Sequence, residues 1–478
     1  MKKSEASLLQ APSRKSQGKG RRQKPTARSA ELAEKDKRYI WHPFTQMADW
    51  EREEILIIEK AEGSYLIDTE GRRYLDGVSS LWCNIHGHRV PEIDAAIRNQ
   101  LDQVAHTTFL GLSNVPAIEL AEKLISIAPK GLTRVFYSDS GSEAVEVALK
   151  MAYQYWRQKG EKQKTKFARL TNAYHGDTLG SVSVGGIELF HEIYQPLLFE
   201  TYEIPAPYVY RWPKRNGREL NREEVAQASL SEMEAVFKKH SDQIAALVME
   251  PLMQGAAGMI DQPRGYLSRV RELASRYRIL LICDEVATGF GRTGKMFAAD
   301  HERVTPDLMV VAKGITGGYL PLSVTLTTEK IYEGFLGDYS ELKTFFHGHT
   351  YSANPLACRA ALATLELFEK KKTLEKLAEK IDFLKEKLKA FAALSHVGEI
   401  RQVGLMVGME LVRDRATKEP YPLEMKMGIR VIQEARKRGV ILRPLGNVVV
   451  LMPPLAISPK ELGELLDCTY DSIRKMTE

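Results

Sequence analysis

The sequence predicts an α/β fold in which a large domain with a mostly parallel sheet is joined to a smaller α+β domain. Between residues 120 and 320, short apolar runs alternate with longer segments of helical periodicity, a pattern typical of strands covered by helices on both faces. Beyond residue 355, long amphipathic helices are followed by short strands, which indicates a separate α+β unit. A chain of 478 residues is also long enough for two domains.

The strands of the large domain are predicted from five runs that are nearly continuous in apolar residues. They lie at 134–138, 167–171, 246–250, 279–285 and 308–312. After the first run, Ala, Val, Leu and Met recur at steps of three and four residues. This spacing predicts a helix that begins near Ser140.

Both chain ends are predicted to build the smaller domain. The segment before residue 96 contains a candidate β-meander with turns at Glu62-Gly63 and Glu70-Gly71, where turn residues separate apolar runs. The predicted division is a tail (1–37), an N-terminal part of the small domain (38–95), a large domain (96–355) and a C-terminal part of the small domain (356–478).

The net charge of the chain is concentrated in its tail. The whole chain carries +6, but residues 1–37 contain eleven Lys or Arg and four Asp or Glu, so the tail carries +7 and the rest −1. Rich in Lys, Arg, Ser, Gln and Gly, the tail is predicted to be disordered and solvated. A targeting segment or a polyanion-binding role stays open as an alternative. The nearly neutral remainder predicts no nucleic-acid partner.

The sequence favours a cytoplasmic protein without a metal. It lacks the apolar core of roughly 7–15 residues of a secretory signal and any apolar run of about 18 residues, so neither secretion nor a membrane span is expected. The four cysteines form no CxxC pair, which is typical of a reducing compartment. The His-Gly-His segments at 86–88 and 347–349 have no second ligand cluster at suitable spacing, so a structural role in loops is expected.

A candidate phosphate-binding segment lies at the junction between the first predicted strand and its helix. The segment 138–143 reads Ser-Asp-Ser-Gly-Ser-Glu. Unpaired backbone N–H groups at a helix start, small residues and hydroxyls together can hold a phosphate. The alternative, a simple helix cap, accounts for the same residues.

An acid and an amine follow two further predicted strands. Asp284 ends the run 279–285, at the sheet edge where α/β proteins bind ligands. An acid there can keep a heteroaromatic nitrogen protonated, although a loop cap is the alternative. Lys313 ends the run 308–312 before a glycine-rich turn, and burial would lower the pKa of its amine toward nucleophilicity. An amine, an acid and a phosphate cradle are the parts that hold pyridoxal 5'-phosphate as a Schiff base.

With Asp284 in DEVATGFGRTG and Lys313 in AKGITGGYLP, the chain resembles the class III, ω-amino-acid type of pyridoxal-phosphate aminotransferases, which have fold type I. The resemblance covers nearly all of the chain beyond the tail. It implies that Lys313 binds the cofactor covalently, that Asp284 pairs with its pyridine nitrogen, and that Tyr174 stacks on its ring and takes part in catalysis. The other residues that the resemblance assigns to the cofactor are Gly141, Ser142, Val286, His349 and Thr350. Because Thr350 would reach the phosphate bound by the neighbouring subunit, a homodimer is expected.

A finer resemblance is to the biotin-pathway members of this family, which aminate 8-amino-7-oxononanoate. It rests on the segments 41–47, 76–88 and 441–454. It implies that Arg443 binds the substrate carboxylate, a role suited to a bidentate donor, whereas a surface ion pair is the simpler alternative. The other residues that the resemblance assigns to the substrate are Phe44, Leu81, Trp82, Tyr174, Lys313 and Gly348.

Two of these positions depart from the members that use S-adenosylmethionine as amino donor. Phe44 stands where they carry a tyrosine, and Leu81 where they carry the first of two adjacent tryptophans. The departures remove a hydroxyl and a flat aromatic surface that a sulfonium nucleoside could use. They lean away from S-adenosylmethionine and leave L-lysine, the donor of another branch of the family, as the alternative.

Other functions stay open at this point. Another ω-amino-acid or diamine aminotransferase would share every cofactor residue. From a different class, the chain could be a regulator that binds pyridoxal phosphate, or a polyanion-binding protein through its tail. The regulator is disfavoured because no segment before residue 38 resembles a helix-turn-helix.

Overall fold

Strands and helices alternate along the chain, as the sequence predicts. The computed structural model describes residues 25–478. Its strands are β1 (Ile58–Glu62), β2 (Tyr65–Asp68), β3 (Arg73–Asp76), β4 (Leu132–Ser138), β5 (Lys166–Leu170), β6 (Thr201–Ile204), β7 (Ile244–Met249), β8 (Met253–Gln254), β9 (Ile260–Asp261), β10 (Leu280–Asp284), β11 (Leu308–Val311), β12 (Ser323–Thr328), β13 (Val397–Val403), β14 (Met406–Asp414), β15 (Glu419–Pro420), β16 (Val440–Ile441), β17 (Arg443–Leu445) and β18 (Val448–Leu451).

The helices are mostly long and amphipathic, with a few single turns. They are α1 (Ala27–Tyr39), α2 (Met47–Trp50), α3 (Ser79–Trp82), α4 (Pro91–Leu101), α5 (Val115–Ile127), α6 (Gly141–Gln158), α7 (Leu179–Ser183), α8 (Glu188–His191), α9 (Arg222–His240), α10 (Tyr266–Arg276), α11 (Glu329–Glu333), α12 (Pro355–Lys370), α13 (Thr373–Leu388), α14 (Met427–Lys437) and α15 (Pro459–Thr477).

A seven-stranded sheet of order β4-β12-β11-β10-β7-β5-β6 forms the centre of the fold. The strands from β11 through β6 are parallel to one another, whereas β12 runs antiparallel to both of its neighbours. All five predicted strands belong to this sheet. The prediction of a mostly parallel α/β sheet is therefore confirmed, and β6 and β12 are additions to it.

Helices bury both faces of this sheet. On one face, apolar residues of α6 pack with Val248, Ile282 and Val310. On the other face, α9 and α10 pack with the alternate residues Leu247 and Leu281. Both faces of each strand are thus buried, which explains why its sequence is apolar throughout.

A second, antiparallel sheet lies in the C-terminal part of the chain. Its order is β13-β14-β18-β17, with β15 paired to β14. The short strand β16 pairs in parallel with β3, so it joins residues before and after the large sheet in sequence. The glycines of the two predicted N-terminal turns, Gly63 and Gly71, lie between β1 and β2 and between β2 and β3.

The described residues divide into two units: residues 25–60 with 67–72, and residues 61–66 with 73–478. In the first unit, Thr26 caps α1 by accepting from the backbone N–H of Ser29. Ser29 in turn donates to Thr69 over 2.8 Å, and Arg28 pairs with Glu59 at 2.6 Å.

The prediction of a disordered tail over residues 1–37 is wrong for its last eleven residues, which belong to α1. Its composition is that of a solvated segment, but a side-chain cap and contacts to residues 59 and 69 stabilise the helix. Residues 1–24, the rest of that predicted tail, lie outside the described residues. Within residues 25–478, no helix is long and apolar enough to cross a membrane.

Candidate active site

Three charged side chains meet at the carboxyl edge of the parallel strands. Glu250 follows β7, Asp284 ends β10, and Lys313 lies two residues beyond β11. These three strands are neighbours in the sheet, so their ends open onto one space. That space is a cavity of about 700 Å³ lined by all three residues, a size suited to a small molecule.

Lys313 is placed by an abrupt change of backbone direction after its strand. Its φ of 46° lies in the left-handed region, at the start of a short 3-10 turn. Its Nζ lies 4.8 Å from the centre of the Trp82 ring. Burial lowers the pKa of Lys313, whereas Asp284 and Glu250 act to raise it, and the net pKa is below the usual value of 10.5. The surroundings therefore shift this amine toward its neutral, nucleophilic form.

Asp284 is fixed by two donors. Its Oδ2 lies 2.7 Å from Nδ1 of His175, and its Oδ1 accepts from the backbone N–H of Val286 over 3.0 Å. Both side chains are buried, so the pair holds the carboxylate in one orientation. Nε2 of His175 has no hydrogen-bond partner within residues 25–478.

The N-terminus of α6 opens onto the same cavity. Ser140 and Glu143 form a capping box, in which the Ser140 hydroxyl accepts from the Glu143 N–H. The N–H groups of Gly141 and Ser142, which precede it in the first turn, are left for a ligand. Gly141 and Ser142, which begin the helix, line the cavity together with Ser140. A Cβ on Gly141 would lie 2.8 Å from a methyl group of Val286, so only glycine fits there.

Ser142 connects this helix start to the loop after β5. Its Oγ accepts from the backbone N–H groups of Asp177 and Thr178, both over 3.0 Å. A Cβ on Gly176, whose φ is +124°, would lie 2.2 Å from this Oγ. Glycine therefore allows the loop to approach the helix N-terminus, where an anion is favoured.

Tyr174 is held at both ends, with its ring at the cavity wall. Its backbone N–H donates to Oε1 of Glu250 over 3.1 Å, and its hydroxyl donates to Oδ2 of Asp177 over 2.8 Å. Burial, together with Asp177, raises the pKa of Tyr174. Its hydroxyl therefore stays protonated at neutral pH.

Glu250 connects Tyr174 to the backbone at Gly255. Its Oε2 accepts from the backbone N–H of Gly255 over 2.7 Å. Burial raises the pKa of Glu250 to about 7, His175 acting to lower it and Asp284 to raise it. Glu250 was not among the sequence-predicted site residues. Glu250 could have been predicted from the sequence, because it ends an apolar run just as Asp284 does. His175 was missed too, although it is adjacent to Tyr174 in sequence.

Trp82 lines this cavity, and Arg443 lies close to Tyr174. Trp82 is 5% exposed and lines the cavity, and its Nε1 has no hydrogen-bond partner within residues 25–478. Arg443, in β17, is partly buried and close enough to Tyr174 for their charges to interact. Burial lowers the pKa of Arg443 and Tyr174 acts to raise it.

The structure brings seven of the predicted site residues together at the cavity. They are Trp82, Gly141, Ser142, Tyr174, Val286, Asp284 and Lys313. Five others of the same unit are not among its lining residues: Leu81, Gly348, His349, Thr350 and Arg443. His349 lies near the helix start, with its Nδ1 3.9 Å from Glu143, whereas Leu81, Gly348 and Thr350 are exposed. Phe44 belongs to the first unit.

Comparison with known proteins assigns the family. The family described as Aminotransferase class-III matches residues 46–473. This chain belongs to the class-III aminotransferases. A protein of Geobacter sulfurreducens named adenosylmethionine-8-amino-7-oxononanoate aminotransferase is 54% identical over 446 residues, covering 93% of this chain and 98% of its own. One of the same name from Nitratidesulfovibrio vulgaris is 56% identical, with coverage of 95% and 83%.

Solved structures of class-III aminotransferases share the fold. The crystal structure of adenosylmethionine-8-amino-7-oxononanoate aminotransferase from Methanocaldococcus jannaschii has a TM-score of 0.88 and 48% identity, covering 93% of this chain and 99% of that chain. An (S)-enantioselective ω-transaminase from Thermomicrobium roseum has a TM-score of 0.89 and 36% identity, with coverage of 94% and 99%. The fold of this aminotransferase is therefore fold type I, as predicted.

The aminotransferase uses pyridoxal phosphate, the cofactor of its family, and the residues of the cavity fit that group. A partly buried lysine lies close to an acid that is fixed by a histidine. The free N–H groups of α6 open onto the same space, and two glycines leave room beside them. An amine, an acid and an anion site are what an aldehyde, a pyridine nitrogen and a phosphate require.

Proposed function

We propose that this aminotransferase converts 8-amino-7-oxononanoate to 7,8-diaminononanoate in biotin biosynthesis. Two lines of support agree. Its relatives with 54% and 56% identity carry the name of that activity, and their match extends over more than nine-tenths of the chain. The site also supplies a cation for the acceptor's carboxylate.

That cation, Arg443, is the observation that carries the proposal. Arg443 is partly buried beside Tyr174, and it has no carboxylate partner within residues 25–478. A partly buried guanidinium without a counter-ion is costly unless a ligand supplies the negative charge. A planar substrate carboxylate can accept two parallel hydrogen bonds from it.

In this proposal the cofactor is held by the residues at the strand ends and at the start of α6. Lys313 would bind its aldehyde, Asp284 would pair with its pyridine nitrogen, and the N–H groups of Gly141 and Ser142 would bind its phosphate. Tyr174 and Val286 would contact its ring. When bound, pyridoxal phosphate accepts the amino group and delocalises the negative charge left on the substrate carbon.

Lys313 and Tyr174 act on the substrate itself. Nζ of Lys313 would take the proton from the carbon that bears the amino group and would pass it on to the bound cofactor. The lowered pKa of Lys313 increases the fraction of neutral amine that can do so. The donor product leaves before 8-amino-7-oxononanoate enters, so the reaction is of the ping-pong type. Asp284 holds the proton on the ring nitrogen throughout.

The amino donor is S-adenosylmethionine or L-lysine. The names of the relatives favour S-adenosylmethionine, whereas Phe44 and Leu81 lack the hydroxyl and the aromatic surface that would favour a sulfonium nucleoside. Trp82 is retained and offers an unpaired Nε1–H to either donor.

A second candidate is another ω-amino-acid or diamine aminotransferase. Several solved structures with 32% to 36% identity are ω-transaminases, and their fold is equally close. The hypothesis that the protein is a regulator or a polyanion-binding protein has no support beyond the basic tail.

We further propose a homodimer that shares its active sites, with Thr350 contributing to the phosphate site of the neighbouring subunit, His349 to cofactor binding and Gly348 to the substrate pocket. Thr350 and Gly348 are exposed, as residues that act on a second copy must be. We also propose that the chain divides into a large domain (96–355) and a small domain built from residues 38–95 and 356–478. Four cysteines without disulfide bonds support a cytoplasmic enzyme, and no nucleic-acid partner is proposed.

The experiment is a donor screen on the purified holoenzyme. It is incubated with 8-amino-7-oxononanoate and either S-adenosylmethionine or L-lysine, and product is measured by mass spectrometry. We expect 7,8-diaminononanoate with at least one donor. Lack of product with both donors, while the same preparation converts ornithine or γ-aminobutyrate, would establish the second candidate instead.

A further inference from the structure

The turn that carries Trp82 has an unusual backbone. Four consecutive residues without a glycine, Ser79 to Trp82 of α3, have φ values of 51°, 47°, 72° and 69°. L-residues adopt this left-handed region as single residues at most, because Cβ then lies too close to the following carbonyl oxygen. The surrounding structure must therefore hold the turn in place.

Asp76 is the side chain that contacts this turn most extensively. Its Oδ1 accepts from the backbone N–H of Ser80 over 2.9 Å, and its Oδ2 accepts from the Ser80 hydroxyl over 2.7 Å. His88 Nε2 lies 3.1 Å from the same Oδ2. Burial acts to raise the pKa of Asp76, but His88 and the Ser80 donors lower it below its usual value. Asp76 is therefore a carboxylate, with 0% exposure.

Contacts on the other side of the turn are made to backbone atoms. The Ser79 hydroxyl donates to the carbonyl of Met452. Arg292 donates from Nη2 to the carbonyl of Asn84 over 2.7 Å, just beyond the turn. Of the side chains named here, Asp76 is thus the one that bonds to Ser80, in the middle of the left-handed segment.

The left-handed turn determines where the indole lies. The Trp82 ring is buried under Nζ of Lys313, and a Cβ on Gly255 would approach it to 3.2 Å. A turn of ordinary handedness would direct this side chain elsewhere, since side-chain direction follows the backbone. The position of Trp82 beside Lys313 thus depends on the conformation of residues 79–82.

We propose that Asp76 is a positioning residue: its carboxylate holds the left-handed turn, and the turn holds Trp82 against Lys313 on the substrate side of the cavity. Asp76 itself does not line the cavity. This inference rests on the proposed function only for the assignment of Trp82 to the substrate.

The first test measures whether the turn opens. Cys83 lies at the end of the turn, with its Sγ 3.2 Å from the Ser80 carbonyl, whereas Cys468 lies in α15 and serves as an internal reference. Holoenzyme is labelled with a thiol reagent, and the Cys83 and Cys468 peptides are quantified by mass spectrometry. Because a hydrogen bond to a charged group contributes about 1.5–3 kcal/mol, Asp76→Asn should raise the Cys83-to-Cys468 labelling ratio at least about tenfold.

A matched control separates this effect from general loss of stability. Asp307 accepts from the backbone N–H of Leu281 over 2.8 Å and pairs with Arg271 at 2.6 Å. It precedes β11, at the sheet edge opposite to Lys313. Asp307→Asn should lower the melting temperature but leave the labelling ratio within twofold of the parent.

The second test asks for rescue by glycine, which adopts positive φ without steric cost. In Asp76→Asn, KM for the amino substrate should rise about tenfold or more with a smaller change in kcat. Adding Ser80→Gly should recover about fivefold of both KM and the labelling ratio, since it removes the cost of one left-handed residue. A general folding defect would not be repaired in this way.

An unchanged labelling ratio in Asp76→Asn, or no recovery in the double variant, would overturn the proposal. The labelling test needs no substrate. If the parent fails to convert 8-amino-7-oxononanoate, the proposed function fails while the role of Asp76 is still decided by the labelling ratio.

Discussion

Lys313 and Lys164 are two lysines whose pKa is lowered by burial, but their surroundings differ. Lys164 donates to three backbone carbonyls, those of Ser241, Ile244 and Arg278, and burial lowers its pKa to about 8. Lys313 instead faces a cavity and two carboxyl groups. Burial and a lowered pKa are common to both, so the open cavity is what distinguishes the proposed catalytic lysine.

Replacing Lys313 tests its role. Lys313→Ala should lower turnover by at least about a thousandfold, since it removes both the covalent attachment and the proton transfer. Cofactor should still bind noncovalently, and its absorption spectrum should change. Lys164→Ala, the control, should lower the melting temperature and leave the spectrum of the bound cofactor as in the parent. Full activity in Lys313→Ala would refute the assignment.

Arg443 is expected to act on binding of the acceptor. Arg443→Ala should raise KM for 8-amino-7-oxononanoate about 10–100-fold, the range for loss of charged hydrogen bonds. Arg443→Lys should fall in between, because a lysine keeps the charge but loses the bidentate geometry. The check is steady-state kinetics with the acceptor and with an analogue that lacks the carboxylate. An equal effect on both compounds would contradict the role.

Glu250 makes stability depend on pH. Its pKa is about 7 in the folded chain and 4.5 as the ordinary value, so the folded state binds more protons between these pH values. The stabilisation is present below pH 4.5 and is lost as pH rises through 7, by up to on the order of 3 kcal/mol. Glu250→Gln should flatten this fall, measured by denaturant unfolding at pH 5 and pH 8. An equally steep fall in the variant would point to other groups, of which Glu285, with a similar pKa, is the first to examine.

At the scale of elements, the parallel strands were predictable because helices cover both of their faces. β12 was not predictable in this way, because it alternates apolar residues with Ser and Thr. The hydroxyls of Ser323, Thr325 and Thr327 donate to backbone carbonyls, so polar residues are buried there without cost in unpaired groups. The alternation of polar and apolar residues in β12 therefore does not indicate that one face of the strand is exposed to solvent.

The start of α6 was predicted together with its cap, but the left-handed turn of α3 was not. Ser140 and Glu143 have the spacing of a capping box in the sequence. The residues 79–82 contain no glycine or other sign of positive φ. Their conformation depends on Asp76 and on a carbonyl at residue 452, far away in sequence.

The close approach at the start of α6 predicts an effect on cofactor binding. A Cβ on Gly141 would lie 2.8 Å from Val286, so Gly141→Ala should displace the helix start and raise the cofactor's dissociation constant about tenfold or more. Gly463→Ala is the control, because its Cβ would lie 3.9 Å from Phe383, an ordinary contact. Absorbance titration of the apoenzyme measures the dissociation constant in both variants. Equal dissociation constants would contradict a cofactor site at the start of α6.

In the whole molecule, the excess positive charge and the residues of the active site lie in different parts of the chain. The formal charge of +6 comes from residues 1–37, and the remainder carries −1, so the basic pI describes the tail and not the enzyme. Composition located the tail but missed the end of it that folds as α1. Contacts such as that between Ser29 and Thr69 cannot be inferred from composition.

Fold and cofactor site could be predicted to a large extent from sequence, whereas the substrate side could not. Lys313, Asp284 and Gly141 follow strands or begin a helix, so local pattern places them at one edge. Phe44, Leu81 and Arg443 lie in a separate unit, a turn and a distant strand. Local sequence pattern does not relate such segments to one another.

A comparison of kcat/KM among acceptors tests most directly whether 8-amino-7-oxononanoate is the acceptor of this enzyme. The holoenzyme, supplied with its best donor, is assayed with 8-amino-7-oxononanoate and with keto acids of similar length that lack the amino group. We predict that 8-amino-7-oxononanoate has the highest kcat/KM, and that Arg443→Ala lowers kcat/KM for all of these carboxylates alike. A higher kcat/KM for another acceptor, with 8-amino-7-oxononanoate left unconverted, would contradict it.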